Sequence, residues 1–398
     1  MSAALERAAA LSFLLLAAAL PWSIAPMSIA IGLCAALTVA LWWRPGGERW
    51  VRTPVDLPAL AWLAALALAA FAGEDPGGSV RRITKGLLLA IVPLAAYHAR
   101  DPKLARRAIA VLLVSAAAAT IYALVKFAAQ GGVFPARVRG LVGHPLTYGG
   151  QAMLLTVVAA ALLIRGVGPR WRIAGTALLT LLVPALLGSY TRSAWIGAFA
   201  GFTVLLACTR ARWIPALAGA AVVLVLLLPS GYRARAASLF DTKNHWNRER
   251  VILWDAGWRI FRDHPITGVG LQDLKPYVAR YRSPDAHEPP HGHMHNMWLQ
   301  VAVTMGVVGL AAFVWLWVGL FRTAAWRLRQ DLRDPSSDRF GLALRLTALA
   351  ALTGFFVAGF FEWNFGDEEL IDLLFTLVGM AFAASAWPRT WHGEPRSS

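Results

Sequence analysis

Cysteine is nearly absent from this chain. Only Cys34 and Cys208 occur in 398 residues, both inside apolar runs, so neither a disulfide framework nor a cysteine metal cluster is available. Charged residues make up only 15% of the chain, too few for a polar, solvated protein of this length. No Gly-x-x-x-x-Gly-Lys-Ser/Thr run occurs, which argues against an ATP-driven transporter, and no internal repeat is evident. Ten-residue stretches alternating apolar and polar residues are missing as well, which excludes a membrane β-barrel. No clear small-residue cleavage site follows Trp22-Ser23-Ile24, so the first apolar run reads as a retained span rather than a signal peptide.

What is present is hydrophobic: 58% of residues are apolar or aromatic. A spanning helix takes about 20 such residues, and about twelve candidates can be counted. They lie near 5–22, 25–43, 55–72, 83–98, 106–129, 146–165, 172–188, 193–209, 212–229, 295–321, 340–361 and 368–387. Backbone groups in lipid must be satisfied within each segment, so these segments are expected to be helices. The expected fold is therefore all-α: a polytopic integral membrane protein of about twelve transmembrane helices. Residues 1–229 hold the first nine spans, 230–294 form one large external loop with short amphipathic helices, and 295–398 hold three spans and a tail.

The formal net charge of +16 follows mostly from topology. Lys and Arg gather in alternate short connections, among them Arg44, Arg49 and Arg52, then Arg100 to Arg107, and later Arg322 to Arg339. The positive-inside rule makes these cytoplasmic, together with both termini, and turns the large loop outward to the periplasm. Nucleic acid is not an expected partner, because the excess is spread through many loops rather than along one stripe. The basic residues on the outer side need another explanation, and an anionic ligand such as a lipid-linked phosphate supplies it.

Within the large loop, apolar positions from Asn247 to Phe261 recur at helical spacing between Arg248, Arg250, Arg259 and Arg262. That pattern predicts an amphipathic helix along the membrane face. His264-Pro265 ends it, Gly268-Val269-Gly270 makes a tight turn, and a second short helix is expected around 271–282. A lone Gly-x-Gly is not specific enough for a phosphate loop. The loop closes on Pro289-Pro290-His291-Gly292-His293-Met294-His295-Asn296, where imidazoles gather at the start of an apolar span, a costly arrangement near lipid.

Several short patterns recur in order along the outer face. His295-Asn296 precedes Gly306-Val307-Val308-Gly309; Arg250-x-x-x-Trp254 precedes Pro265-x-x-Gly268-x-Gly270; Arg139-Gly140-Leu141-x-Gly143-His144-Pro145 precedes the sixth span and Thr191-Arg192-Ser193-Ala194-Trp195 the eighth. Each is weak alone, but in this order and on this side the chain resembles the O-antigen ligase and polymerase superfamily. The anchors run from about residue 137 to 309, and the helix count extends the likeness over nearly the whole chain.

The resemblance implies a glycosyltransferase of the bacterial inner membrane. It would move a polysaccharide from undecaprenyl pyrophosphate to a sugar hydroxyl of lipid A-core on the periplasmic side, completing lipopolysaccharide without metal or other cofactor. Such a reaction needs a base for the acceptor hydroxyl and positive charge for the departing pyrophosphate. His295 is the candidate base, oriented by Asn296 or by a carboxylate. Arg192 and Arg250 are the candidate partners of the leaving group, since guanidinium grips phosphate bidentately; Arg139 and Arg248 are further candidates, with Trp254 for sugar stacking.

Each residue has a competing reading. His295 could cap its helix, Arg192 could snorkel to head groups, and of Arg248 and Arg250 only one need point inward. Trp246, Trp254, Trp258 and Trp298 could be an interfacial belt, and Glu362, Asp367, Glu368 and Glu369 a solvated acidic loop. His287, His291, His293 and His295 raise a metal site, but their Pro- and Gly-flanked coil reads as mobile, so no metal is expected. The alternatives within the enzyme class are an O-antigen polymerase and a protein O-oligosaccharyltransferase, which share the donor. Outside it, the alternative is a lipid-linked glycan transporter or flippase, whose polar residues would sit at the midplane rather than at one face.

Overall fold

The computed structural model describes residues 2–44, 51–165, 167–239, 241, 243–334, 337–384 and 387. Arg49 and the expected tail beyond 387 lie outside them. The described chain is all-helical: α1 (Ser2–Ala19), α2 (Ile24–Trp42), α3 (Asp56–Ala72), α4 (Pro76–Ile83), α5 (Ile91–His98), α6 (Pro102–Ala129), α7 (Pro145–Arg165), α8 (Pro169–Gly188), α9 (Arg192–Ala207), α10 (Ile214–Leu227), α11 (Ser230–Ala237), α12 (His245–Asp263), α13 (Lys275–Tyr281), α14 (Met297–Leu332), α15 (Arg339–Ala358) and α16 (Glu368–Ala384). Among the described residues, six of these, α2, α6, α7, α8, α14 and α15, are long and apolar enough to cross a membrane, while α3, α9 and α10 are shorter apolar helices. These are the dimensions of an integral membrane protein.

The expected apolar segments and the observed helices coincide closely, with three corrections. The fourth segment is not one helix: α4 passes through a 3₁₀ stretch, Thr84–Ala90, before α5. Gly86 weakens that stretch, and Pro93 has no N–H to donate back to it. The loop also opens on a helix ahead of the amphipathic one, α11, for which the sequence pattern gave no signal. The second loop helix is only Lys275–Tyr281, opened by Pro276 near its start.

The core is built on α7, buried along most of its length, and on α15 and α16. Helices α9 and α15 cross at two glycines. A Cβ on Gly197 would stand 2.6 Å from Gly354 O, and one on Gly354 2.7 Å from Gly197 O, so only bare backbone allows this approach. Because the pair runs antiparallel, it brings the start of α9, at Arg192, to the same end as the chain leaving α15, at Glu362.

The loop helices have a small core of their own, with Leu253, Ile260, Val269, Leu274, Tyr277, Val278, Met294 and Val303 packed together. Val303 belongs to α14, which breaks at Gly306 (φ 61°). The break exposes backbone groups that lipid could not satisfy, and the loop satisfies them. The Val269 N–H donates to Val303 O (2.9 Å) and the Gly270 N–H to Thr304 O (3.1 Å). In return, the Val307 N–H donates to Pro265 O (2.8 Å) and the Val308 N–H to Ile266 O (3.3 Å). The Pro265-x-x-Gly268-x-Gly270 pattern is thus half of a backbone joint, and Gly306-Val307-Val308-Gly309 is the other half.

Candidate functional site

His295 stands at the junction between the loop cap and α14. The helix is capped not by His295 but by Asn296, whose Oδ1 accepts from the N–H groups of Trp298 and Leu299 at 2.9 and 3.0 Å. The Asn296 amide donates to Phe360 O at 3.1 Å, so both polar ends of that side chain serve backbone. Of the two expected orienting groups, the carboxylate is the one beside the imidazole: His295 Nδ1 lies 2.7 Å from Glu362 Oε1. His295 holds a left-handed backbone (φ 45°), a conformation that costs free energy in a non-glycine residue and is found where surroundings over-determine a functional position. The only other such non-glycine residue among those described is Tyr190 (φ 51°), two positions before Arg192.

Glu362 is buried rather than solvated, which corrects the reading of its loop as a surface acidic patch. Burial by itself would raise its pKa, but the bond from His295 and the charges of His295 and Arg250 outweigh burial and hold it well below the ordinary carboxylate range. Arg250 NH2 lies 3.5 Å from Glu362 Oε2. An imidazole with one nitrogen tied to a fixed carboxylate has its tautomer set: Nδ1–H donates to Glu362, and Nε2 is left to accept a proton.

The pair lies on the wall of a cavity of about 470 Å³, which is also lined by Arg137, Arg192, Arg235, Arg250, His144 and Asp367. Arg192 is buried, not snorkelled. Its guanidinium donates to Ser238 O (2.8 Å), Ser238 Oγ (3.0 Å) and Asn247 Oδ1 (2.7 Å), all neutral acceptors that leave its charge uncompensated. Arg137 donates to Ser189 O (2.7 Å) and Arg235 to Tyr190 O (3.2 Å), so the strained turn before α9 anchors two arginines beside Arg192. Burial and the charge of Arg235 bring Arg137 down to about 10, which still leaves it cationic at neutral pH.

Of the residues expected from sequence, His295, Arg192 and Arg250 line this cavity. Arg139 and Arg248 are exposed and do not. Trp254 donates from Nε1 to Met294 O (2.9 Å), tying α12 to the His-bearing segment. It lines a smaller neighbouring cavity of about 240 Å³, together with Arg192, Arg250, Ile196, Val251 and Phe361. Among the four tryptophans named above, Trp246 lines the larger cavity and Trp298 packs in the core against Phe313 and Phe356. Sequence reasoning did not single out Arg137, Arg235 or His144 for this site. A larger space of about 870 Å³ borders the far half of α14 near Trp315, Arg322 and Arg329, and its lining carries neither imidazole nor carboxylate.

The coil before α14 is more ordered than its prolines and glycines suggest. The ring centroids of His291 and His293 lie 5.2 and 4.1 Å from that of His295. His293 is driven down to about 4 by burial and by the His295 charge. Ligand atoms of His293, His295 and Glu362 all lie within 4.8 Å of one another. The coil that reads as mobile in the sequence thus brings three imidazole rings side by side.

Helices of membrane length around a cavity lined by four arginines, an imidazole–carboxylate pair and the further carboxylates Glu249 and Glu288 define an integral membrane protein with one strongly polar site. Residues 177–314 match the family model described as O-antigen ligase, a family whose substrates are in general lipid-linked glycans. The matched stretch contains Arg192, Arg235, Arg250 and His295, while Arg137, His144, Glu362 and Asp367 lie outside it. No curated protein matches the chain.

Proposed function

We propose that the protein is a metal-independent glycosyltransferase that moves O-antigen polysaccharide from undecaprenyl pyrophosphate to a sugar hydroxyl of lipid A-core. The observation that carries this reading is the His295–Glu362 pair facing the space bounded by Arg137, Arg192, Arg235 and Arg250. In the reaction the acceptor O–H gives its proton to His295 Nε2 as its oxygen bonds to the donor's anomeric carbon. The bond from that carbon to the pyrophosphate oxygen breaks, and its electron pair leaves on the pyrophosphate, whose charge the arginines stabilise. Glu362 stabilises the imidazolium that forms. The neighbouring cavity, with Ile196, Val251 and Phe361 beside the same arginines, suits the apolar chain of the donor. In this reading about twelve helices cross the bacterial inner membrane, both termini are cytoplasmic and the cavity faces the periplasm.

The test is transfer by purified protein from undecaprenyl-pyrophosphate glycan to lipid A-core, with a chelator present. Transfer is expected to persist in the chelator and to fall by about 10²- to 10⁴-fold in folded His295→Ala. Wild-type turnover in that variant would remove the base from the mechanism. Use of a second donor molecule as the sole acceptor would instead make the protein a polymerase, and glycan transfer to a protein acceptor an O-oligosaccharyltransferase. Unmodified glycan-lipid crossing vesicles would make it a transporter.

A further inference from the structure

Beside the base lies a group with no partner inside the protein. His293 Nδ1 is buried without a hydrogen bond. Its ring packs edge-on against His295, so its ligand atom falls within 4.8 Å of those of His295 and Glu362. The side chains of His295 and Glu362 are 16% and 5% exposed, so the three groups are largely shielded from bulk water. We propose that His293, His295 and Glu362 form a site for a divalent transition-metal ion with the ligand preference of Zn²⁺, and that its occupation withdraws the base and stops transfer.

The donor set suits such an ion, because two imidazoles and a carboxylate form a tetrahedral zinc site with one corner left for water. The spacing argues for an inhibitory ion rather than a resident one. Zinc bonds of about 2.1 Å place tetrahedral ligand atoms about 3.4 Å apart. The ligand atoms must therefore draw together from separations of up to 4.8 Å. His295 must also give up or share its bond to Glu362 Oε1, although Glu362 Oε2 is buried without a hydrogen bond. Gly292, beside His293 in the coil, gives the backbone room to make the adjustment. Metal and proton thus compete for one imidazole–carboxylate pair. The inhibitory consequence rests on His295 being the base of the proposed transfer; the binding does not.

Chelator-stripped protein titrated with Zn²⁺ against a chromophoric chelator reads binding directly, and transfer is assayed at each Zn²⁺ concentration. The expected result is one Zn²⁺ per chain, loss of transfer following the same curve, and recovery on adding EDTA. His293→Ala should shift binding and inhibition together to at least about 10- to 100-fold higher Zn²⁺, since losing even an outer partner of a metal ligand costs that much, each variant being compared with its own metal-free rate. His291→Ala, which removes a neighbouring ring but none of the three ligands, should leave the binding curve in place. Absence of stoichiometric binding, an unchanged curve in His293→Ala, or saturation without inhibition would each overturn the site or its role. So would transfer that disappears on stripping and returns with Zn²⁺. Were transfer absent altogether, the functional reading would fail while the titration still decided the binding.

Discussion

At the scale of single residues, position within the packing decides which arginines matter. Arg137 and Arg139 lie two residues apart, yet only Arg137 is half-buried and anchored, to Ser189 O and to Thr191 Oγ1 at 3.2 Å. Arg248 and Arg250 repeat the contrast on α12, where Arg250 reaches Glu362 and Arg248 stays exposed. Arg192→Ala is expected to lower transfer on the order of 10²-fold, the usual cost of losing one donor aimed at developing charge. Arg192→Lys should recover part of that loss, because it keeps the charge but not the planar fork held by Ser238 and Asn247. Arg139→Ala and Arg248→Ala should stay within a few fold of wild type. Initial-rate assays on matched amounts of folded protein check this, and a loss in Arg139→Ala equal to that in Arg192→Ala would redraw the site.

At the scale of elements, the joint between the loop and broken α14 is what holds His295 at the cavity. Its two halves meet backbone to backbone: a Cβ on Gly268 would run into the main chain at Thr304 and Met305, and one on Gly306 into Ile266. Both glycines also have positive φ, 67° and 61°. Gly268→Ala is therefore expected to destabilise the protein by about 1–3 kcal/mol and to lower transfer with it, since the cap that carries the histidines would shift. Gly231→Ala, where nothing stands within 4 Å and Ala suits helix α11, is the control and should melt no lower than wild type. Thermal unfolding in detergent distinguishes the two. Equal melting of all three proteins would mean that the joint is not structural.

At the scale of the whole molecule, charge is balanced around the cavity by residues from distant parts of the chain. Asp367 accepts from Thr147 Oγ1 at 3.2 Å, and burial together with the charges of Glu362 and Glu369 raises it to about 7. Below about 7 it is neutral; above, it adds a negative charge to a site proposed to bind pyrophosphate. Donor KM is therefore expected to rise as pH increases through about 7. The folded chain also keeps a proton that the unfolded chain loses near pH 4, so Asp367 makes stability fall as pH rises between about 4 and 7. Asp367→Asn should flatten both dependences. Initial rates against donor concentration and unfolding midpoints across pH 5–8 read them, and unchanged profiles in the variant would exclude Asp367 as their source.

The helical class and the location of most helices could be read from the sequence, because lipid burial is a local property that an apolar run of the right length satisfies wherever it stands. His295, Arg192 and Arg250 were legible for a related reason: ionisable groups at the ends of apolar runs are costly and therefore conspicuous. Their partners were not. Glu362 is 67 residues from His295 and meets it because the start of α14 is joined to the end of α15, where the Met297 N–H donates to Gly359 O at 2.7 Å. Arg137 and Arg235 have no local pattern that separates them from exposed arginines nearby. The prolines and glycines around His293 suggested a free coil, until tertiary contacts fixed its ring against His295. Sequence spacing sets which elements form, but which side chains share one cavity depends on how those elements cross, and that was decided only by the fold.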